Sequence, residues 1–359
     1  MIHLKQDDQV TRFWNVMRLK RGLLTDNGAT PWYTVLRLGS ERQKLKFAID
    51  TGTSHSWVTS IQCTTHACLN HRRFDFRSST SFKQLTSPYR PDEISFGPWG
   101  TMQVTLGCDR VEFTASKTDK ICDIDDYSLY ISQHYDGQQF RDLTWEGAIG
   151  VPTCIPDHVD SSELFTILMR TCSFPFDQRA LCFNYTDRVL QFIDLDIYSV
   201  VEGLVTAPVV ESSVLPGAWV VDLGPVDVGG LAVLESVSFC LDTGSSRFKG
   251  DPKIIEPIIR AITRDGHLPA YVAAEDPDFS AYPDLVLKLQ GVPIRVTPDQ
   301  YFEKLAKNYY KLGFHDMAGL DGMLLAGSTF LEHHAPVFFF DNDLVGVGVG
   351  LFDARPGGS

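Results

Sequence analysis

The sequence predicts a mostly β, two-lobed protein with few short helices, and three observations predict it. The chain of 359 residues is long enough for two domains of ordinary size. Short runs rich in Val, Ile, Phe and Tyr recur along it, broken at close intervals by Gly, Pro, Asn or Asp, the pattern of strands joined by turns. The third observation is an internal repeat: FAIDTGTS at 47–54 returns as FCLDTGSS at 239–246, which sets Asp50 and Asp242 192 positions apart. A weaker echo, EGAIGV at 146–151 and LLAGST at 324–329, sets Gly150 and Gly327 177 positions apart. Each half thus carries an Asp-Thr-Gly turn followed by an apolar-Gly turn.

In chain order, strands are expected in WYTVLRLG (32–39), KLKFAID (44–50), LCFNY (181–185), RVLQFIDL (188–195), WVVDLG (219–224) and PVFFFD (336–341). Helical signals fall in SSELFTILMRTC (161–172), PKIIEPIIRAITRD (252–265) and PDQYFEKLAKNYY (298–310), the first with a Ser cap and the others with Pro in the first turn. DIDDY at 123–127 lacks the Gly and terminal Glu of a calcium loop and reads as a solvated loop. His333 and His334 in LEHHAP lack the spacing of a zinc helix and read as a turn or surface pair. Asn184 in NYT is a formal glycosylation acceptor placed inside an expected strand. The domain expectation is an N-terminal segment at 1–28, a first lobe at 29–197 and a second at 198–359.

Composition narrows the function classes. Asp and Glu outnumber Lys and Arg by 45 to 32, a formal charge of -13 that argues against nucleic acid as a partner. No apolar run approaches the roughly 20 residues that span a bilayer. MIHLKQDDQV at 1–10 shows no signal-peptide pattern. Of the eight cysteines, Cys63 and Cys68 bracket only TTHA, close enough for a loop staple. A zinc site recruiting His66 or His71 would need a second ligand pair at finger spacing, and none follows. The staple points to an oxidising compartment and the N-terminus to the cytoplasm; a secreted or periplasmic location would follow if a leader had been removed.

One Asp-Thr-Gly is an ordinary turn, with Asp capping and Gly supplying conformational freedom. Two copies, each closing an apolar run in corresponding halves, can bring two carboxylates face to face at a lobe junction. Like charges in contact cannot both ionise at modest cost, so such a pair shares one proton and titrates as a unit.

At these motifs the chain resembles the pepsin-like aspartic peptidases. FAIDTGTSHSWV and FCLDTGSSRFKGDP resemble the two active-site motifs, CTTHACLNHRRFDFRSSTSF (63–82) the first disulfide loop, and ISFGPWGTMQVTLGCDRVEF (94–113) the flap hairpin over substrate. YPDLVLKLQGVPIRVTPDQYF (282–302) and LLAGSTFLEHHAPVFFFDNDLVGVGVG (324–350) resemble the late strands and the final segment, which joins a sheet linking the lobes. The resemblance implies the bilobal pepsin fold, with VMRLKRGLL (16–24) as an inter-lobe strand whose Arg18, Lys20 and Arg21 form a solvated end. It implies an aspartic endopeptidase in which Asp50 and Asp242 hold a water, one carboxylate taking its proton and the other donating to the carbonyl oxygen.

Gly52 and Gly244 would let the turns approach, Thr51 and Thr243 would bond across the junction, and Thr53 and Ser245 would donate to the outer carboxylate oxygens. Phe96, Gly97 and Trp99 would form the flap's substrate side, with Trp57 as core or pocket wall. Expected partners are a polypeptide with large hydrophobic residues at the cut and a pepstatin-type inhibitor; no cofactor, metal, nucleic acid or membrane is expected, and the chain should be a monomer. The chain departs from the family at Phe96, where Tyr is usual, at Pro98 and Trp99, bulkier than usual for the flap tip, and at Ser328, where Asp is common. The alternative is a catalytically silent pepsin-fold binding or inhibitor protein. Such proteins typically lose part of one Asp-Thr-Gly, and here both are complete.

Overall fold

A computed structural model describes residues 15–85, 92–96, 99–114, 120–153, 179–193, 203–341 and 347–352. The expected helix at 161–172 and the 197/198 boundary lie outside them. The architecture is mostly β, as expected.

Alternation of burial explains the strands. Trp32–Leu38 buries every second side chain, and Leu36 and Leu38 are wholly enclosed, each burial stabilising the fold by about 1.5–3 kcal/mol. This strand pairs with Gln43–Asp50, which continues into a sheet containing Gly147–Gly150, Trp57–Val58, Lys120–His134 and Thr101–Thr114. A second large sheet runs Val292–Val296, Leu285–Leu289, Val220–Val228, Val237–Leu241, Met323–Ala326, Phe248–Gly250 and Phe314–Asp316. Between them lies a six-stranded sheet: Asn15–Arg18, Val189–Ile193 and Arg179–Asn184, then Val337–Asp341, Gly348–Phe352 and Leu204–Pro208. Three strands come from each half of the chain, so this sheet links the lobes and includes the N-terminal strand expected there. Trp219 packs edge-on against Phe338 and Phe340 beneath it, with ring centroids 5.0 and 5.1 Å away.

Pro252–Thr263 is helical, as expected. Asp251 caps it by accepting the Lys253 N–H at 2.8 Å, Ile255, Ile258 and Ile262 form its buried face, and Arg264 ends it in the left-handed region at φ 51°. The expected helix at 298–310 is corrected: only Pro298–Tyr301 is helical, and Phe302–Ala306 and Tyr309–Leu312 form a hairpin. The reason is tertiary. Phe302 and Glu303 are buried, and the strand carries Glu303 to an interior arginine, a contact that outweighs helix propensity.

DIDDY is also corrected from loop to strand. It lies in Lys120–His134, where Ile124 and Tyr127 face the core and Asp123 pairs with Arg110 on the neighbouring strand. Cys63 and Cys68 form a disulfide that ties the preceding loop to a one-turn helix, His66–Leu69, which contains Cys68. Asn184 ends its strand with a buried side chain bonded to Asp187 at 2.9 Å. His334 sits in a turn but is buried, its Nδ1 3.3 Å from the Phe352 carbonyl.

Candidate active site

Two parallel strand pairs deliver the carboxylates. Gln43–Asp50 runs beside Gly147–Gly150 with Gly150 opposite Asp50, and Val237–Leu241 runs beside Met323–Ala326 with Leu241 opposite Ala326. The main chain then locks each Asp: Val151 N–H donates to the Asp50 carbonyl at 2.8 Å, and Asp242 N–H donates to the Ala326 carbonyl at 2.9 Å. Gly150 and Gly327, the echo in the sequence, sit where a Cβ would lie 2.7 Å from the Ser54 carbonyl carbon and 2.6 Å from that of Ser245.

The threonines cross the junction as expected. Thr51 Oγ1 donates to the Leu241 carbonyl at 2.8 Å, and Thr243 Oγ1 donates to the Ile49 carbonyl at 2.6 Å. Each hydroxyl also accepts the other threonine's N–H, at 3.1 and 3.0 Å. Four buried hydrogen bonds thus clamp one turn against the other. The glycines are required by this closeness: a Cβ on Gly52 would lie 2.5 Å from the Asp242 carboxyl carbon, and one on Gly244 2.3 Å from that of Asp50. Gly244→Ala is therefore expected to cost about 1–3 kcal/mol by overpacking, read as an earlier denaturation midpoint.

Asp50 and Asp242 face each other across the junction, each carboxyl packed against the glycine of the other turn. The Gly52 N–H donates to Asp50 Oδ1 and the Gly244 N–H to Asp242 Oδ1, each at 2.8 Å. Burial first, then the neighbouring Asp242 charge, pushes the Asp50 carboxyl well above the usual carboxylate range.

Beyond these inner contacts the symmetry breaks. Ser245 Oγ donates to Asp242 Oδ2 at 2.6 Å, as expected, but Thr53 does not reach Asp50; its hydroxyl accepts the His55 N–H at 3.1 Å. That expectation of a matched donor is corrected, because the turn after Asp50 closes on itself through His55. Seven residues after each Asp the chain carries Trp57 and Lys249, set opposite Ala148 and Leu325 on the two equivalent neighbouring strands. Trp57 is buried among Phe96, Tyr135 and Trp145. Lys249 is 4% exposed, and its Nζ donates to Ser245 Oγ at 2.8 Å. Burial lowers the Lys249 ammonium to about 8, against the attraction of Asp242.

The carboxylates lie on the floor of a cavity of about 390 Å³ between the lobes, walled by Trp57, Phe96, Trp99 and Phe140 on one side and Leu215 and Met317 on the other. The flap is the hairpin of Glu93–Ser95 with Thr101–Thr114, tied at its tip by Phe96 N–H to the Gly100 carbonyl at 2.9 Å. Phe96, lacking a hydroxyl, is held by ring contacts to Trp57 and Phe140 at 5.8 and 5.7 Å. Trp99 reaches the opposite lobe, its ring 5.3 Å from Lys249 Nζ. Gly97 and Pro98 lie outside the described residues. Ser328 is buried, and its N–H donates to the Ser245 carbonyl at 2.8 Å.

Sequence reasoning missed Lys249 and the buried Arg247 beside it, which lies 2.8 Å from Glu303 and 3.0 Å from Asp26. The alignment of the two repeats held the signal: RFKG in the second copy occupies positions where the first has HSWV.

The family model for eukaryotic aspartyl proteases matches residues 31–349. The chain is 26% identical to chymosin from Bos taurus over 339 residues, covering 90% of this chain and 82% of that one. It is 24% identical to pepsin A from Bos taurus over 332 residues, covering 89% and 84%, and 23% identical to cathepsin E from Aquarana catesbeiana over 373 residues, covering 96% and 89%. With both Asp-Thr-Gly turns intact at the lobe junction and the match running through nearly the whole chain, this protein belongs to the eukaryotic aspartyl protease family.

Proposed function

We propose that the protein is an aspartic endopeptidase that cuts within extended polypeptides, with Asp50 and Asp242 as its catalytic pair. The observation that carries this reading is the pair of carboxylates that the two clamped turns bring face to face on the floor of an inter-lobe cavity, with Asp50 buried against its partner's charge. An amide is a poor electrophile with a poor leaving group, so its hydrolysis needs an activated water and a proton donor. A pair sharing one proton supplies both. The ionised carboxylate takes a proton from water, the hydroxide adds to the carbonyl carbon, and the protonated partner gives its proton to the carbonyl oxygen. The carboxyl that received the water's proton then protonates the amide nitrogen. The C–N bond breaks as the other carboxylate takes a proton from the gem-diol, which restores the starting pair.

The apolar walls favour large hydrophobic side chains at the cut, and Phe96 and Trp99 close over them from the flap. Because the pair needs one proton and one charge, activity should fall at low pH as both carboxyls protonate and at high pH as both ionise. The test is cleavage of an unfolded protein from about pH 3 to 7, with and without pepstatin. Pepstatin-sensitive cleavage within that range is the expected result; a folded protein that cleaves nothing at any pH would overturn the reading and leave a cleft that only binds.

A further inference from the structure

The two halves of the site differ in one respect that duplication does not explain. Both Asp residues accept a main-chain N–H from the glycine two residues on, at the same 2.8 Å. Among the described residues, only Asp242 receives a side-chain hydroxyl beyond that, and that hydroxyl is backed by a cation: Lys249 Nζ to Ser245 Oγ at 2.8 Å, Ser245 Oγ to Asp242 Oδ2 at 2.6 Å. At the equivalent place in the first lobe stands Trp57, which carries no charge. We infer that Lys249 is a positioning residue that, through Ser245, keeps Asp242 the ionised member of the pair and leaves the shared proton on Asp50.

The hydrogen-bond chain has a direction. An ammonium can only donate, so the Ser245 oxygen accepts from Lys249 and its single hydrogen must point at Asp242 Oδ2. A serine oriented in this way stabilises a carboxylate there. The other groups facing the chain do not undo this. From its own strand Arg247 faces Lys249 but is paired with Asp26 and Glu303, and Glu303 approaches from the 302–312 hairpin. From the flap Lys249 meets the neutral ring of Trp99. Tyr185 and Cys240 face Asp242, and burial pushes both well above their usual ranges, so they stay uncharged.

A buried ammonium is also a liability that a merely structural residue would not carry. Since its folded value, about 8, lies below the ordinary 10.5, charging Lys249 opposes folding; the loss is full below pH 8 and is recovered as pH rises toward 10.5. Lys249→Met is therefore expected to unfold at higher denaturant than the parent at pH 6, so a change in its titration cannot be assigned to a damaged fold.

For chemistry, the assignment rests on the peptidase reading: Asp242 would take the proton from water and Asp50 would protonate the carbonyl oxygen. The charge placement itself is measurable in a protein that cleaves nothing. The experiment is a pH titration of the aspartate carboxyl carbons by carbon-13 NMR, with the two signals assigned from Asp50→Asn and Asp242→Asn. In the parent, the Asp242 signal should ionise first. Lys249→Met should raise that first step by about one pH unit, the usual effect of an opposite charge at this range, and Lys249→Arg should restore it. Ser245→Ala, which breaks the chain but keeps the charge, should give a smaller rise. Ionisation of Asp50 first, or a first step unmoved in Lys249→Met, would overturn the assignment, whereas loss of peptidase activity alone would leave it standing.

Discussion

Asp50→Asn and Asp242→Asn are each expected to lower pepstatin-sensitive cleavage by about 10²–10⁴-fold, because each removes half of the acid–base exchange that both steps of amide hydrolysis need. Asn keeps the shape and still accepts the Gly52 or Gly244 N–H, so the change isolates the proton. Stability distinguishes this from misfolding, and the sign can be worked out for Asp50. Its folded value lies above the ordinary 3.8, so the native state holds that proton more tightly than the unfolded chain, and stability is lost as pH rises above 3.8 toward the raised value. Asp50→Asn never pays that cost. It should unfold later than the parent at pH 7, with the difference closing below about pH 4. Inactivity with raised stability would fit a carboxylate retained for chemistry, while undiminished cleavage in either variant would remove that residue from the pair.

Glu303→Ala should destabilise the fold by about 3–5 kcal/mol although it lies away from the carboxylates. Glu303 is fully enclosed, accepts the Thr329 hydroxyl at 3.1 Å and lies 2.8 Å from Arg247, itself 4% exposed. That contact, from Arg247 Nη2 to Glu303 Oε2, is an ion pair rather than an aligned hydrogen bond, since Oε2 has no hydrogen-bond partner among the described residues. Removing Glu303 leaves Arg247 with only the half-exposed Asp26 and takes away a counter-charge that also faces Lys249. Replacing both members with apolar residues of similar volume should recover most of the loss, because two desolvated charges and their attraction nearly cancel. Denaturant midpoints of the single and double variants measure this; a Glu303→Ala midpoint equal to the parent's would show that water already reaches the pair.

Much of the fold was legible because strands and turns leave local marks. Trp32–Leu38 alternates, Asp251 and Pro252 announce a helix, and the 47–54 and 239–246 repeat announces a duplicated lobe. The segment at 298–310 was misread because its local signals are helical while its partners are remote: Phe302 and Glu303 reach burial only when the second lobe is assembled. DIDDY failed for the same reason. Asp125 and Asp126 are indeed exposed, and only Asp123 is drawn in, by Arg110 brought across the hairpin.

The sequence by itself determined that there are two lobes, two Asp-Thr-Gly turns and a family, since each of these is written in residues close together and repeated. It also implied the glycines and the crossing threonines, whose jobs follow from the approach of two like turns. Only the tertiary structure decided that the two turns are chemically unequal. Thr53 and Ser245 look interchangeable in sequence, but one closes on His55 and the other lies between Asp242 and a lysine. The physical reason is that a hydroxyl's direction and a cation's effect depend on distances of a few ångströms and on burial, which chain spacing does not encode.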